Sequence, residues 1–279
     1  MQTELFHLHA EVELDHWWFV ARRRIVREVL AAVLPPGPER RVVDVGCGTG
    51  ANIAALRDDY TVAGIDTSED AIELARERFP EIPFILGRAP ADLGEHATDM
   101  DAFLLVDVLE HVPDATAVLA PLVRTLRPGG FALITVPADM RLWSRHDESF
   151  GHYRRYDVPT LRAVWADLPV TEIMVSYFNT RLYPVVRAVR TLNRIRGRAW
   201  GRNDSDLSIP PRPVNASLER LFAGERHRLV DLVSGRRAIG YSRGVSLIAL
   251  LRREHDDDDN RTEAVAAPSA GRSAETIND

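Results

Sequence analysis

The chain has 279 residues, 45% hydrophobic and 27% charged, a composition that buries a substantial core and calls for one large domain with additions. Its net charge of −6 argues against general nucleic-acid binding, which needs a basic footprint. All 35 basic residues are arginine, which excludes lysine Schiff-base chemistry, and the single cysteine, Cys47, excludes an intramolecular disulfide and a cysteine-rich zinc site.

No apolar run approaches the roughly 20 residues that span a bilayer. The first residues, MQTELFHLHAEVELDHWW, carry acids and histidines where a secretion signal carries basic and then apolar residues. A cytoplasmic protein is expected.

Residues 16–34 predict a helix, with Trp18, Ala21, Ile25 and Val29 on one stripe and a Pro-Pro-Gly-Pro stop behind it. Apolar strand-like runs follow at 41–45, 60–66, 82–86, 101–108 and 130–137, with helices expected at 68–79 and 114–126. Apolar runs separated by amphipathic helices imply a buried parallel sheet with helices on both faces. A polar and aromatic segment, 137–157, comes next, then a helix over 158–167 and a sixth strand at 171–179. A seventh strand is expected at 244–253. About 65 residues between these last two strands lack sheet character. They include an apolar helical stripe (Leu182, Val185, Val186, Val189, Leu192) flanked by Arg187, Arg190, Arg194 and Arg198, and a second helix near 216–233. From residue 255 the sequence turns acidic and then small and polar, the composition of a disordered tail.

The chemistry begins at VVDVGCGTGAN. Gly46, Gly48 and Gly50 let the backbone turn sharply and approach a ligand, and Asp66 ends the next strand, where a carboxylate can accept hydrogen bonds from a ribose diol. The spacing Gly46, Gly48, Ala51 also satisfies a dinucleotide fingerprint. Asp44 separates the two readings, because a carboxylate beside the loop repels a pyrophosphate but suits a cofactor carrying an ammonium and a sulfonium.

The ordered set DVGCGTG, GID, DVLEHVPD and LRPGGFALITVP, over residues 41–137, resembles class I S-adenosylmethionine-dependent methyltransferases. That resemblance implies a doubly wound, Rossmann-like α/β sheet of seven strands in the order 3-2-1-4-5-7-6 with the last strand antiparallel. Residues 1–38 would be a helical lid, 39–254 the methyltransferase domain with a cap insertion at about 179–241, and 255–279 a tail. Asp44, Gly46, Gly48 and Gly50 would line the methionine part of S-adenosyl-L-methionine, Asp66 would hold the ribose, and Asp107 and Val108 would border the cofactor. Family members often carry an acid after the third strand, near the adenine amine; here the stretch is LGRAPADL, so Asp92 or a backbone carbonyl is expected there.

The segments HWWFVARRR (16–24) and LWSRHDESFGHYRRY (142–156) resemble a subgroup related to quinone-biosynthesis O-methyltransferases. Methyl transfer to oxygen or nitrogen needs an in-line nucleophile and often a base. His146, His152 and His111 are the candidate bases. Arg154 and Arg155 are candidates to clamp an acidic group on the acceptor, and Trp17, Trp18, Trp143, Tyr153 and Tyr156 to wall it. The alternative is a loop stapled by Asp147, Glu148 and the arginines. Asp107, Glu110 and His111 resemble a Glu-x-x-Glu-His pattern by which some O-methyltransferases hold a divalent ion, but LEHV is widespread where no metal is used, and none is expected.

The acceptor is read as a small or lipid-linked molecule. Residues 179–241 carry 13 arginines against five acids, and an amphipathic basic helix at 180–200 could touch an anionic membrane from its inner face. The rival readings are an NAD-dependent oxidoreductase and a non-catalytic adenosylmethionine-binding protein of the membrane surface.

Overall fold

The computed structural model describes residues 3–97, 99–196 and 208–255. The expected tail beyond His255, and residues 197–207 of the insertion with Arg198, lie outside the described residues. Seven strands form one sheet: β1 (Gly37–Val45), β2 (Tyr60–Asp66), β3 (Phe84–Leu86), β4 (Met100–Val106), β5 (Leu126–Pro137), β6 (Val170–Phe178) and β7 (Ser246–Arg253). Their order is β3-β2-β1-β4-β5-β7-β6, and β7 runs antiparallel to both β5 and β6. This is the architecture anticipated from the motifs, a Rossmann-like mixed sheet flanked by helices.

The helices are α1 (Thr3–Val12), α2 (Trp17–Ala31), α3 (Ala51–Ala54), α4 (Glu69–Arg78), α5 (Ala115–Thr125), α6 (Arg145–Ser149), α7 (Val158–Arg162), α8 (Tyr183–Arg196), α9 (Arg212–Ala223) and α10 (Arg226–Val233). Strand side chains alternate between two cores because successive residues point to opposite faces. Val42, Leu104, Leu133 and Leu250 face one core, where α2 contributes Ala21, Ile25 and Val29 and α9 contributes Phe222. Val43, Phe103, Ile134 and Leu251 face the other, against Leu119 and Leu122 of α5 and Leu161 and Trp165. Within β5, where its register against β4 shifts, a Cβ on Gly130 would lie 2.9 Å from the Arg127 carbonyl oxygen and 3.0 Å from that of Met100, so glycine lets the strand pass there.

Several elements differ from the sequence reading, each for a local reason. The helix expected at 216–233 is two, broken at Gly224 and Glu225; the Glu225 carboxylate is buried and accepts hydrogen bonds from the backbone N–H groups of Thr180 and Arg181, each at 2.9 Å. The helix expected over 158–167 ends at Arg162. On α8 the anticipated apolar stripe is rotated: Val185 and Leu192 are exposed, whereas Leu182 and Arg190 are buried. The segment expected to be a helical lid holds a further helix, α1, ahead of α2; its Leu8 and Val12 pack with Phe19 and Phe150 in a small separate core.

Candidate active site

The carboxyl ends of β1, β2 and β4 open into a cavity of about 1300 Å³, roofed by α1, α2, the segment after β5 and α8. The setting at the strand carboxyl ends is that of an α/β ligand site, and the volume is larger than a single drug-sized ligand needs.

The floor is the glycine loop after β1. Gly46, Gly48 and Gly50 have φ of +70°, +53° and +89°, a region costly for residues with a Cβ. A Cβ on Gly46 would also meet the Val108 side chain at 2.8 Å, while the space beside Gly48 is open. Asp66 ties the loop to β2: its carboxylate accepts hydrogen bonds from the N–H groups of Gly48 and Ser68, both at 2.9 Å. Gly46, Gly48, Asp66, Asp107 and Val108 all line the cavity; Gly50 and Asp44 do not. Gly50 faces Phe84 and Phe79 instead. Asp44 lies behind the loop, fully buried, with neither carboxylate oxygen hydrogen-bonded. Burial pushes its carboxyl up to about 8, partly offset by Arg22. At the far end Gly87, Arg88 and Ala89 line the wall, whereas Asp92 turns into its own loop and accepts from the Arg88 N–H at 2.7 Å.

Asp107, at φ +58°, points up to the roof. It is ion-paired with Arg22 of α2 and accepts from the Thr135 hydroxyl at 2.9 Å. The Arg22 guanidinium lies 4.2 Å from the centre of the Trp18 ring, a cation–π contact that holds both in place. Glu13, just after α1, reaches the loop as well, ion-paired with Arg78 and accepting from the Thr49 hydroxyl at 2.5 Å.

The opposite wall is a charged network around Asp147 in α6, whose carboxylate is fully buried. It accepts from the Arg155 Nε at 2.7 Å, from the Ser144 N–H at 2.9 Å and, more weakly, from Arg190 at 3.4 Å; His152 Nδ1 lies 3.0 Å away. Burial alone would raise the Asp147 carboxyl, but the His152 hydrogen bond and the two arginines hold it well below the usual carboxylate range. Arg155 also donates to the Ala138 carbonyl at 3.0 Å and Arg190 to that of Leu142 at 2.6 Å. Glu110 faces this network. It is 1% exposed, neither of its side-chain oxygens has a hydrogen-bond partner, and burial with Asp107 nearby pushes its carboxyl well up. Burial lowers His111 to about 4 and holds His146 well below the usual imidazole range, so both are neutral near pH 7.

Of the residues expected to meet an acceptor, Trp17, Trp18, Tyr153, Arg155, His111, His146 and His152 line the cavity. Trp143, Arg154 and Tyr156 do not. Trp143 donates to Glu148 at 3.3 Å, Arg154 to the Pro113 carbonyl at 2.6 Å, and the buried Tyr156 hydroxyl to that of Leu109 at 3.0 Å. Neighbours in a loop cannot all face inward, and these three fasten it. Cavity residues that sequence reasoning missed are His9, Glu13, Arg22, Asn179 and Arg190. Only Arg22 carried a signal, as a cation within an otherwise apolar helix face.

The comparisons with known proteins agree with this geometry. Residues 42–130 match the family model described as a methyltransferase domain. Trans-aconitate 2-methyltransferase of Methylobacterium radiotolerans is 37% identical over 122 residues, which cover 43% of this chain and 46% of that protein. Ubiquinone biosynthesis O-methyltransferase of Thiobacillus denitrificans is 35% identical over 101 residues, 34% of this chain and 44% of that one. The chain therefore spans a little under half the length of the curated relatives it matches. Among solved structures, an S-adenosylmethionine-dependent methyltransferase from Archaeoglobus fulgidus aligns with a TM-score of 0.50 at 16% identity, over 83% of this chain and 94% of that one. The 4+2-cyclase SpnF aligns at 0.52 and 17% identity, over 84% and 81%. Such distant likenesses bear on the fold alone. Together, residues 42–130 are similar to a methyltransferase domain, and the sheet order is that of the S-adenosylmethionine-dependent methyltransferase fold.

Proposed function

We propose that the chain transfers a methyl group from S-adenosyl-L-methionine to an oxygen of a small acceptor held in the cavity. The observation that carries the cofactor assignment is the character of the glycine loop. The helix after it, α3, is a single turn of four residues, too short to offer a pyrophosphate the aligned N–H groups and dipole of a dinucleotide site. The side chains around the loop include acids instead: Asp66, Asp107 and Glu13 line the cavity. This donor set fits a cofactor that carries an ammonium and a sulfonium and no phosphate. Asp66 would take the ribose hydroxyls and the loop backbone the methionine part, leaving the adenine to the wall of Gly87, Arg88 and Ala89.

When bound, S-adenosylmethionine supplies an electrophilic methyl group. The chain's own residues then exclude water, align the nucleophile and receive its proton. Trp17, Trp18 and Tyr153 wall the acceptor side. The neutral imidazoles of His111 and His146, with His152, are the groups able to accept a proton there. Residues 1–38, with α1 and α2, serve as the lid, and α8 with the following helices as the cap.

The relatives' names, with trans-aconitate on one side and a ubiquinone precursor on the other, support an acceptor carrying carboxylate or phenolic oxygen. The test is incubation with methyl-labelled S-adenosylmethionine and either trans-aconitate or a hydroxylated quinone precursor. A labelled ester or ether supports the proposal, and label on carbon or nitrogen alone would sink O-methylation.

A second reading concerns α8. Val185 is 60% exposed and Leu192 49%, with Arg187 exposed beside them, which supports contact with an anionic lipid surface. Among the described residues no helix is long and apolar enough to cross a membrane. Co-sedimentation with anionic liposomes that is unchanged in Val185→Asp and Leu192→Asp would dispose of this reading.

A further inference from the structure

The carboxyl end of β6 brings to the cavity a side chain that the methyl-transfer reading does not use. Asn179 follows Phe178, lines the cavity and is 1% exposed, yet its Oδ1 has no hydrogen-bond partner among the described residues. Its φ is +54°. An asparagine in that conformation ordinarily serves the local backbone through its side chain. Here the side-chain oxygen makes no such bond, and the turn is held by other groups. The buried Glu225 carboxylate accepts from the N–H groups of Thr180 and Arg181. The chain entering β7 approaches so closely that a Cβ on Gly244 would lie 2.2 Å from the Phe178 carbonyl oxygen. A buried amide oxygen left unpaired costs free energy, and a donor on a ligand is the group it lacks.

The side chains beside it are mainly apolar. Ser246 pairs with Phe178 across β6 and β7. Val245, next to it in the chain, belongs to a small core with Leu142 and Tyr183, against which Val186 of α8 packs. Val189 lies one turn further along α8, and Val186, Val189, Val245 and Ser246 all line the cavity. In the sheet β4, β5, β7 and β6 follow β1 in that order, so at about 4.8 Å per strand Asn179 stands roughly 19 Å across the sheet from the end of β1. The cavity, about 1300 Å³, exceeds the roughly 300–1000 Å³ of a single-ligand site. It has room for a methyl donor at the glycine loop and for an acceptor that reaches this far end.

We propose that Asn179 is an acceptor-binding residue that selects an elongated methyl acceptor. Past an apolar stretch lying against Val186, Val189 and Val245, the far end of that acceptor donates a hydrogen bond from a hydroxyl or amide N–H to the Asn179 Oδ1. A short acceptor does not reach it. A site built to pair a ligand donor rejects the analogue that lacks one, because its own buried polar group is then left unpaired. The inference rests on reading the cavity as a methyltransferase acceptor site, and it adds which chemistry the acceptor carries at the end away from the methyl group.

The test is calorimetric binding of matched phenol probes to the full chain, with and without S-adenosylhomocysteine. Each pair is a 4-(ω-hydroxyalkyl)phenol and the 4-alkylphenol in which a methyl group replaces the terminal hydroxyl, in a series of increasing chain length. Affinity is expected to rise by roughly fourfold per methylene while the chain lies on the valines. At one length the hydroxyl probe is expected to bind at least about tenfold more tightly than its methyl partner. Asn179→Gly keeps the positive φ but removes the amide, and it abolishes that preference. Asn179→Asp keeps both an acceptor oxygen and the tolerance of positive φ, and it retains the preference. Val189→Trp, at a half-buried position, shifts the best length to a shorter chain. No binding of any probe at millimolar concentration, or a hydroxyl-to-methyl ratio that Asn179→Gly leaves unchanged, overturns the proposal. S-adenosylhomocysteine titrated alone reports on the methyltransferase reading, so failure of that reading is distinguishable from failure of this one.

Discussion

The two sides of the cavity are built from different materials. The floor under the glycine loop is mainly backbone, drawn from β1, β2 and β4 within residues 42–108, with hydrogen bonds that span short separations such as Gly48 to Asp66. The opposite wall and the contacts behind it are mainly side chain, assembled from regions far apart in sequence. Arg190 reaches Leu142 and Asp147, the Tyr183 hydroxyl donates to Asp139 at 2.5 Å, and the Trp17 N–H donates to Asn215 at 3.0 Å across 198 residues. A floor made of backbone depends little on the side chains around it. A side-chain wall can be rebuilt for each acceptor without disturbing it, which is consistent with a family match that stops at residue 130.

The largest effect that would break this comparison lies at Asp147. Asp147→Ala strands the buried Arg155 and Arg190 cations without their carboxylate. Removing one member of a buried ion network costs about 3–5 kcal/mol. Urea unfolding is expected to show a loss of that size, and a loss under about 1 kcal/mol would mean that the network contributes little.

A smaller effect is expected at Asn215, which joins the N-terminal helices to the insertion by accepting from the Trp17 N–H and donating to the Asp15 carbonyl at 2.8 Å. Asn215→Ala deletes both bonds and is expected to cost about 1–2 kcal/mol. Hydrogen exchange should show that cost as faster opening of α1 and α2, with β4 and β5 unchanged. Uniform loosening of the whole chain would show that the roof and the floor are one cooperative unit.

Why the floor was legible and the wall was not follows from these same residues. Positive φ at Gly46, Gly48 and Gly50 demands glycine at fixed spacing, and a strand ending on Asp66 leaves an acid where the fold needs one, so local rules reveal both. The strands and most helix positions followed from periodicity, and the sheet order from the resemblance carried by the ordered motifs. Arg190 read as one of a row of arginines flanking an apolar stripe, because nothing local says which arginine on an amphipathic helix turns inward. Glu110 was visible beside His111, but its lack of partners was not, since that depends on what the other elements fail to supply. Asp147 was legible as a staple of its loop with the neighbouring arginines, and its capping box with Ser144 was there to be read, but its pairing with Arg190 from the insertion was not. Trp143, Arg154 and Tyr156 could not be told from their inward-facing neighbours without the loop's path.

The pH profile sharpens the comparison with the smallest expected effect. Burial lowers His9, His16 and His111 from 6.5 to about 4, so between those values the unfolded chain binds more protons and stability rises with pH. Burial raises Asp44 from 3.8 to about 8, so above 6.5 the folded chain binds more protons through that group and stability falls as pH rises toward 8. Across the acidic window the three histidines outweigh Asp44, and the ligand-free protein is expected to be most stable near pH 6.5–7 by thermal melts. In Asp44→Asn the decline above pH 7 should shrink. A decline of the same size in that variant would place its origin elsewhere.

The most direct test of the methyltransferase account is calorimetric titration of the purified chain with S-adenosylhomocysteine and, separately, with NAD. The account predicts micromolar binding of S-adenosylhomocysteine that is lost in Asp66→Ala, and no binding of NAD. Binding of NAD alone, or S-adenosylhomocysteine binding untouched by Asp66→Ala, would contradict the assignment of the glycine loop and the chemistry built upon it.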